Sequence, residues 1–201
     1  LYFESEKTGF VVGAYNLIFR TDDGGKSWEP WLDRVDNPKG LHLYAIRPVG
    51  KALYLAGEQG LFLRSSDGGN TFQRLETPYG GTYFALAAGP SGELVLAGLR
   101  GNAFRTADQG KTFTKIKVPL PISFSATVSL PDGKLLLANQ AGMLFESRDQ
   151  GQTVQSLPAR LPPVAALASL DDGTLVAVGG AGALKISMSG TIPGSEKAAA
   201  R

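Results

Sequence analysis

The sequence predicts an all-β chain: a β-propeller of four-stranded antiparallel blades, with about five blade modules in its 201 residues. Three observations predict it. One short phrase, Thr/Ser-x-Asp-x-Gly-x-x followed by an aromatic or apolar residue, occurs four times, at Thr21–Trp28, Ser65–Phe72, Thr106–Phe113 and Ser147–Val154. The aspartates of these boxes, Asp23, Asp67, Asp108 and Asp149, lie 44, 41 and 41 residues apart, which is the period of one propeller blade. The intervals between boxes hold runs of four to six apolar or β-branched residues bounded by Gly, Pro, Asp and Asn, with no convincing amphipathic helix.

The modules share one grammar. Module one, residues 9–31, offers second, third and fourth strands between Phe10 and Trp31 but no first. Module two, 41–76, has strands at Leu43–Arg47, Ala52–Ala56, Leu61–Arg64 and, after its box, Thr71–Leu75, with turns at Val49-Gly50-Lys51 and Gly57-Glu58-Gln59-Gly60. Module three, 82–118, repeats this with Tyr83–Ala87, Glu93–Ala97, Asn102–Arg105 and Thr112–Lys117. Module four, 122–158, uses Phe124–Ser129, Lys134–Ala138, Met143–Glu146 and Thr153–Leu157. Module five, 163–189, has three strands from Val164 to Ile186, and Ser187–Gly190 reads as a decayed box without its aspartate.

Residues 1–8 are expected to lie outside the fold, because Leu1–Ser5 resembles the remnant of a viral-protease cleavage tag, with Glu4 where glutamine is usual. Residues 190–201 lose the alternating pattern and are expected to be weakly ordered. With its first and last modules incomplete, the chain reads as part of a longer propeller. Truncated blade edges invite self-association or a strand from elsewhere.

Composition narrows the chemistry. A formal net charge of +2 is too small to imply a polyanion, so no nucleic-acid partner is expected, and Lys111, Lys115 and Lys117 read as the solvated face of an outer strand. The chain has no cysteine and a single histidine, His42, which leaves little material for a transition-metal site or a Ser-His-Asp triad. No cofactor is implied. No apolar run approaches the ~20 residues of a membrane span, so direct membrane insertion is not expected.

The box itself reads as a turn. Aspartate accepts hydrogen bonds from the backbone N–H groups that follow it, the Ser or Thr hydroxyl ties down the other side, and the glycine supplies a positive φ. The structural set is therefore Asp23, Gly25 and Trp28; Asp67, Gly69 and Phe72; Asp108, Gly110 and Phe113; and Asp149 with Gly151. Each aromatic stands three residues before an apolar partner (Trp28 and Trp31, Phe72 and Leu75, Phe113 and Ile116), so its ring is expected to fold back onto the turn. Four copies at equivalent positions point to structure, since a catalytic or calcium site is normally unique within a ring.

This phrase resembles the Asp box of the bacterial neuraminidase repeat, shared by sialidases, sortilin-like receptors and many secreted propellers. Gly9–Tyr15 and Arg20–Trp28 are similar to the photosystem II stability/assembly factor-like proteins, and the resemblance extends from Gly9 to about Ser189. It implies a seven-bladed ring and a non-enzymatic, exported, periplasmic protein. The role it implies is that of an assembly or accessory factor for a protein partner, a membrane-associated complex.

In such a blade the turn between strands two and three lies at the end opposite the box, together with the blade-to-blade loops. Ligands of propellers usually occupy that face. The inner turns offer Tyr15, Asn16, Glu58, Gln59, Arg100, Asn102 and Gln140. The loops between blades offer Asp33, Arg34 and His42, then Tyr79 in a Pro-Tyr-Gly-Gly turn. Solvent-facing turns are polar in any protein, so these residues form a candidate surface as a group rather than singly. Arg20, Arg64 and Arg105 stand three residues before successive box aspartates, and their recurrence favours pairing with a neighbouring blade over anion binding.

Two other readings share the fold. A sialidase-like glycoside hydrolase needs an arginine cluster and a tyrosine nucleophile with an acidic partner, yet Ile46-Arg47-Pro48 only superficially echoes the Phe-Arg-Ile-Pro motif of those enzymes. No residue is marked as catalytic. A carbohydrate-binding propeller would use Tyr15, Tyr79 and nearby amides for stacking and hydrogen bonding.

Overall fold

The structure, a computed structural model, describes residues 1–170 and 172–186. Blade one contains β1 (Tyr2–Phe3), β2 (Gly9–Val12), β3 (Ile18–Thr21) and β4 (Glu29–Pro30). Blade two contains β5 (Leu43–Val49), β6 (Ala52–Gly57), β7 (Phe62–Ser65) and β8 (Gln73–Arg74). Blade three contains β9 (Tyr83–Ala88), β10 (Leu94–Gly98), β11 (Ala103–Thr106) and β12 (Thr114–Lys115). Blade four contains β13 (Phe124–Ser129), β14 (Leu135–Asn139), β15 (Met143–Ser147) and β16 (Gln155–Arg160). Blade five shows β17 (Val164–Ser169), β18 (Leu175–Gly179) and β19 (Gly182–Ile186). In every sheet the strands follow chain order, so each blade is an antiparallel meander closed by short turns. The decayed box at Ser187–Gly190 and the tail at 190–201 lie outside the described residues.

One boundary is corrected. Residues 1–8, expected outside the fold, supply the inner strand of blade one: Tyr2 pairs with Phe10 and Phe3 with Gly9. The reason is an edge that would otherwise stand unpaired beside β2. The turn from Glu4 to Thr8 is closed by Ser5 Oγ, which accepts from the amides of Lys7 and Thr8, and the Phe3 ring lies over Gly9 and edge-on to Trp28. Blade one therefore has four strands.

The apolar core is divided into layers between successive blades. Phe10, Ile18, Leu55, Leu63 and Phe72 fill the layer between blades one and two. Tyr54, Phe62, Leu86, Leu96 and Phe104 fill the next. Val95, Phe124, Leu137 and Phe145 join blades three and four, and Leu136, Leu144, Leu167 and Leu175 join four and five. A blade's second strand is thus covered on both faces, which is why β6, β10 and β14 are buried along their whole length and read as unbroken apolar runs. The innermost strands stand side by side, β9 against β5 and β13, and β13 against β17.

The boxes join the blades as well as closing hairpins. The expectation that their rings fold onto their own turn is corrected for Phe72 and Phe113. Phe72 meets Phe10 of blade one edge-on at 6.0 Å, and Phe113 meets Phe62 of blade two in the same way. The box glycines seat against the same neighbours: a Cβ on Gly69 would fall 2.3 Å from Phe10 Cζ, one on Gly110 2.7 Å from Leu75 Cδ1, and one on Gly151 2.4 Å from Val95 Cγ2. The arginines before the boxes reach the other way. Arg20 Nη1 donates to Asn70 Oδ1, Arg64 Nη2 to Gln109 Oε1, and Arg105 Nε to the Gln150 carbonyl, each in the box of the next blade.

Candidate partner-binding face

Box chemistry turns inward on itself. In all four copies the aspartate Oδ1 accepts the hydroxyl of Thr21, Ser65, Thr106 or Ser147 at 2.7–2.9 Å. The same oxygen accepts the amide of Ser27, Thr71, Thr112 or Thr153, and Oδ2 accepts that residue's hydroxyl. These bonds stabilise the ionised form. The Ser27 hydroxyl leads in holding Asp23 down to about 2, the Thr71 amide leads for Asp67, and the Thr112 hydroxyl leads for Asp108, both also at about 2. At Asp149 burial opposes the shift, and the Thr153 bonds outweigh it and lower the carboxyl. Carboxylates so saturated serve as turn caps.

Chemistry of another kind gathers at the opposite end of the blades. The inner turns of blades one, two and three have the same form, and Tyr15, Gln59 and Arg100 occupy equivalent places in them at φ of 54°, 50° and 55°. Left-handed backbone costs a residue with a Cβ about 1–2 kcal/mol, which glycine would avoid. Three successive blades instead place an aromatic ring, an amide and a guanidinium there, all exposed. Non-glycine residues held in this region cluster at functional sites.

The same end carries a row of aromatic rings. Tyr15, 76 % exposed, stands edge-on to His42 at 4.6 Å; His42 lies 6.2 Å from Tyr44, and Tyr44 5.2 Å from Phe84. Bulges deliver the last two rings. Strand pairing shifts register between Leu43 and Ala45, and again where Tyr83 and Ala85 face Gly98 and Ala97. Each shift leaves one extra residue, Tyr44 or Phe84, re-aimed towards the axis. Blades four and five have Ser125 and Ala165 at these bulges. Glu58 braces the row: its Oε2 accepts the His42 amide at 3.0 Å, and its Oε1 lies 3.6 Å from His42 Nδ1. Burial, then the charge of Glu58 and a hydrogen bond to it, push the Tyr44 phenol up from its ordinary value.

Tyr15, His42, Glu58, Gln59 and Arg100 therefore share one end of the blades, with Gln140 exposed on the corresponding turn of blade four. The remaining candidates are placed differently. Asn16 is buried, and its Oδ1 accepts from Asn37 Nδ2 at 2.9 Å to hold the long loop. Asp33 and Arg34 lie where that loop packs on the second box, with the Arg34 carbonyl accepting the Phe72 amide and the Arg34 guanidinium 4.2 Å over the Trp31 ring. Tyr79 is half-buried, stacked on Phe104, and donates its hydroxyl to the Leu99 carbonyl. Asn102 folds onto its own turn by donating to the Leu99 carbonyl.

Sequence reasoning passed over Tyr44 and Phe84, because an inward bulge leaves no mark in an apolar strand run. It also set aside Lys115 and Lys117. With Arg100, Leu120 and Pro121 these lysines line a cleft of about 580 Å³ that has three cations and no acid on its wall. Among the described residues no helix is long and apolar enough to cross a membrane.

Residues 1–156 match the family described as photosynthesis system II assembly factor YCF48. A photosystem II assembly lipoprotein Ycf48 from Synechococcus sp. (strain CC9902) is 34 % identical over 73 residues, which are 36 % of this chain and 22 % of that protein. A solved structure of YCF48 bound to D1 peptide superposes with a TM-score of 0.69 at 17 % identity, covering 92 % of this chain and 61 % of that one. The GH74 enzyme of Niastella koreensis superposes with a TM-score of 0.76 at 18 % identity, covering 92 % of this chain and 34 % of the enzyme, a likeness of fold alone. The chain thus spans about a fifth of the curated relative and about three-fifths of the solved YCF48. With its boxes, its blades and this match over more than three-quarters of its length, the chain belongs to the photosynthesis system II assembly factor YCF48 family.

Proposed function

We propose that this protein is a non-enzymatic propeller that holds an extended segment of a protein partner across blades one to three. It would act as an assembly or accessory factor for an exported or membrane-associated complex. The observation that carries this reading is the set of strained, exposed side chains Tyr15, Gln59 and Arg100, flanked by the ring row from Tyr15 to Phe84. Rigid aromatic anchors beside adaptable polar groups suit a peptide surface. The D1 peptide bound to a solved YCF48 and the lipoprotein name of the Synechococcus relative support the same class of partner and setting. Open apolar positions on blade five, Leu170 and Val178, support self-association as a second contact, which light scattering of the purified chain tests.

A hydrolase reading has a tyrosine beside a carboxylate at this end, Tyr44 and Glu58, but lacks the arginine cluster it needs: Arg47 is the one arginine among the residues lining the cavity with Tyr44. Carbohydrate binding is favoured by one observation, the exposed ring of Tyr15, and is tested in the same assay as the peptide.

The test replaces Tyr15, Gln59 and Arg100 together by glycine and measures binding of a D1 peptide, with a glycan panel as competitor. Loss of peptide binding with thermal stability kept or raised is the expected result, because glycine relieves left-handed strain. Unchanged binding by the triple variant, or competition by a glycan, overturns the peptide reading.

A further inference from the structure

The inner strands β5, β9, β13 and β17 line an open axial channel of about 160 Å³. Along these four strands there is one charged side chain, Arg47. It lines the channel with Tyr44, Phe84, Ser125 and Thr127, and no carboxylate lies on the channel wall. The guanidinium donates through Nη1 to the Ile46 carbonyl at 2.8 Å, an acceptor on its own strand. A guanidinium has five N–H donors to satisfy. Thr127, on the same wall, is 3 % exposed, and its hydroxyl has no hydrogen-bond partner among the described residues.

This wall has donors without acceptors and charge without counter-charge. Arg47 is half-buried, and a partly desolvated cation is ordinarily paired. Consistently, burial pushes the Arg47 guanidinium down from its ordinary value. The volume, below the range of drug-sized pockets, suits a single compact group. Planar guanidinium matches oxyanions through two parallel hydrogen bonds.

We propose that the axial channel binds a small oxyanion, a carboxylate, sulfate or phosphate group, on Arg47. This site is independent of the outer peptide-binding reading. The anion has two sources with the same chemistry: a free ion, or a carboxylate at the end of a peptide.

Thermal denaturation of the full chain in sulfate, phosphate or acetate, each against chloride at matched ionic strength, tests the site. A short peptide with a free carboxyl terminus, compared with its amide, forms the second arm. The expected result is a saturable rise in melting temperature with an oxyanion, weakened about tenfold or more in apparent affinity by Arg47→Gln, as loss of a charge-assisted pair requires. Arg47→Gln should fold at least as well as the parent in chloride, since it removes a half-buried cation that has no carboxylate beside it on the channel wall; Arg47→Lys keeps the charge but not the fork, and should respond weakly. A response to the peptide acid but not to the free ions assigns the site to a peptide terminus; the converse assigns it to a solute. General salt exclusion raises parent and variant alike. An equal rise in both, no saturable rise, or a response abolished by acetylating the amine of Leu1, which also lines the channel, overturns the assignment to Arg47.

Discussion

Replacing Gly69 by alanine separates two roles that a box glycine plays at once. Gly68 and Gly69 are neighbours with nearly the same backbone, at φ +71° and +82°. An alanine at either must adopt left-handed backbone, which costs about 1–2 kcal/mol. Around Gly68 a new Cβ meets nothing within 4 Å, whereas at Gly69 it falls 2.3 Å from Phe10 Cζ. Phe10 is fully buried in the layer between blades one and two, so its ring has little room to yield. Overpacking a filled core costs a further ~1–3 kcal/mol. Gly68→Ala should therefore lose about 1–2 kcal/mol and Gly69→Ala about 2–5 kcal/mol. For a chain of this size an added ~2 kcal/mol lowers the melting temperature by roughly 4–8 °C. Gly25→Ala is a second control, because its nearest neighbour would stand 3.5 Å away in the same blade, in ordinary contact. Urea denaturation followed by tryptophan fluorescence and by far-ultraviolet dichroism gives the three values. Phe10→Leu should recover part of the Gly69→Ala loss, as coupled neighbours do. Equal losses at Gly68 and Gly69, or no coupling with Phe10, would refute the view that the boxes rivet one blade to the blade before it.

Two further predictions concern the box carboxylates. Asp23, Asp67 and Asp108 sit at about 2 in the folded chain, below the ~3.9 of an unfolded aspartate. A lowered folded value means that their contribution is complete above the unfolded pKa and disappears as pH falls from near 4 towards 2. The melting temperature should drop through that window, and Asp67→Asn should make the drop shallower; a flat profile there would contradict the assignment. Asp67→Ala removes the acceptor of the Ser65 hydroxyl, the Thr71 amide and the Thr71 hydroxyl. It should cost about 1–2 kcal/mol in urea denaturation while leaving peptide binding unchanged.

How far the molecule can be read before it is folded differs from element to element. The hydrogen bonds of the box were legible, because they join residues two to four apart inside the phrase, whereas the packing of Phe72 and Phe113 on the preceding blade was not. Strands β6, β10 and β14 were legible because burial on both faces leaves an unbroken apolar run. Strand β1 was not, since Tyr2–Phe3 carry no strand pattern of their own and pair only because β2 offers them an edge. At the candidate face, Tyr15, Gln59 and Arg100 were visible as turn residues, while their shared left-handed backbone was not. Asn16 sat in the same turn by sequence and is turned inward by a bond to Asn37, 21 residues away.

What the sequence by itself determined is everything that repeats at short range: the blade period, the hairpin turns, the alternation of strands and the resemblance these carry. The tertiary structure alone decided which faces meet. It set Gly69 against Phe10, drew Tyr44 and Phe84 inward through bulges, gathered Lys115 and Lys117 beside Arg100, and left Arg47 in an axial channel without a counter-charge. The physical reason is range. Turns and strands answer to forces between residues a few positions apart, whereas packing between blades joins residues about a whole repeat apart, and no local pattern encodes which of them will touch.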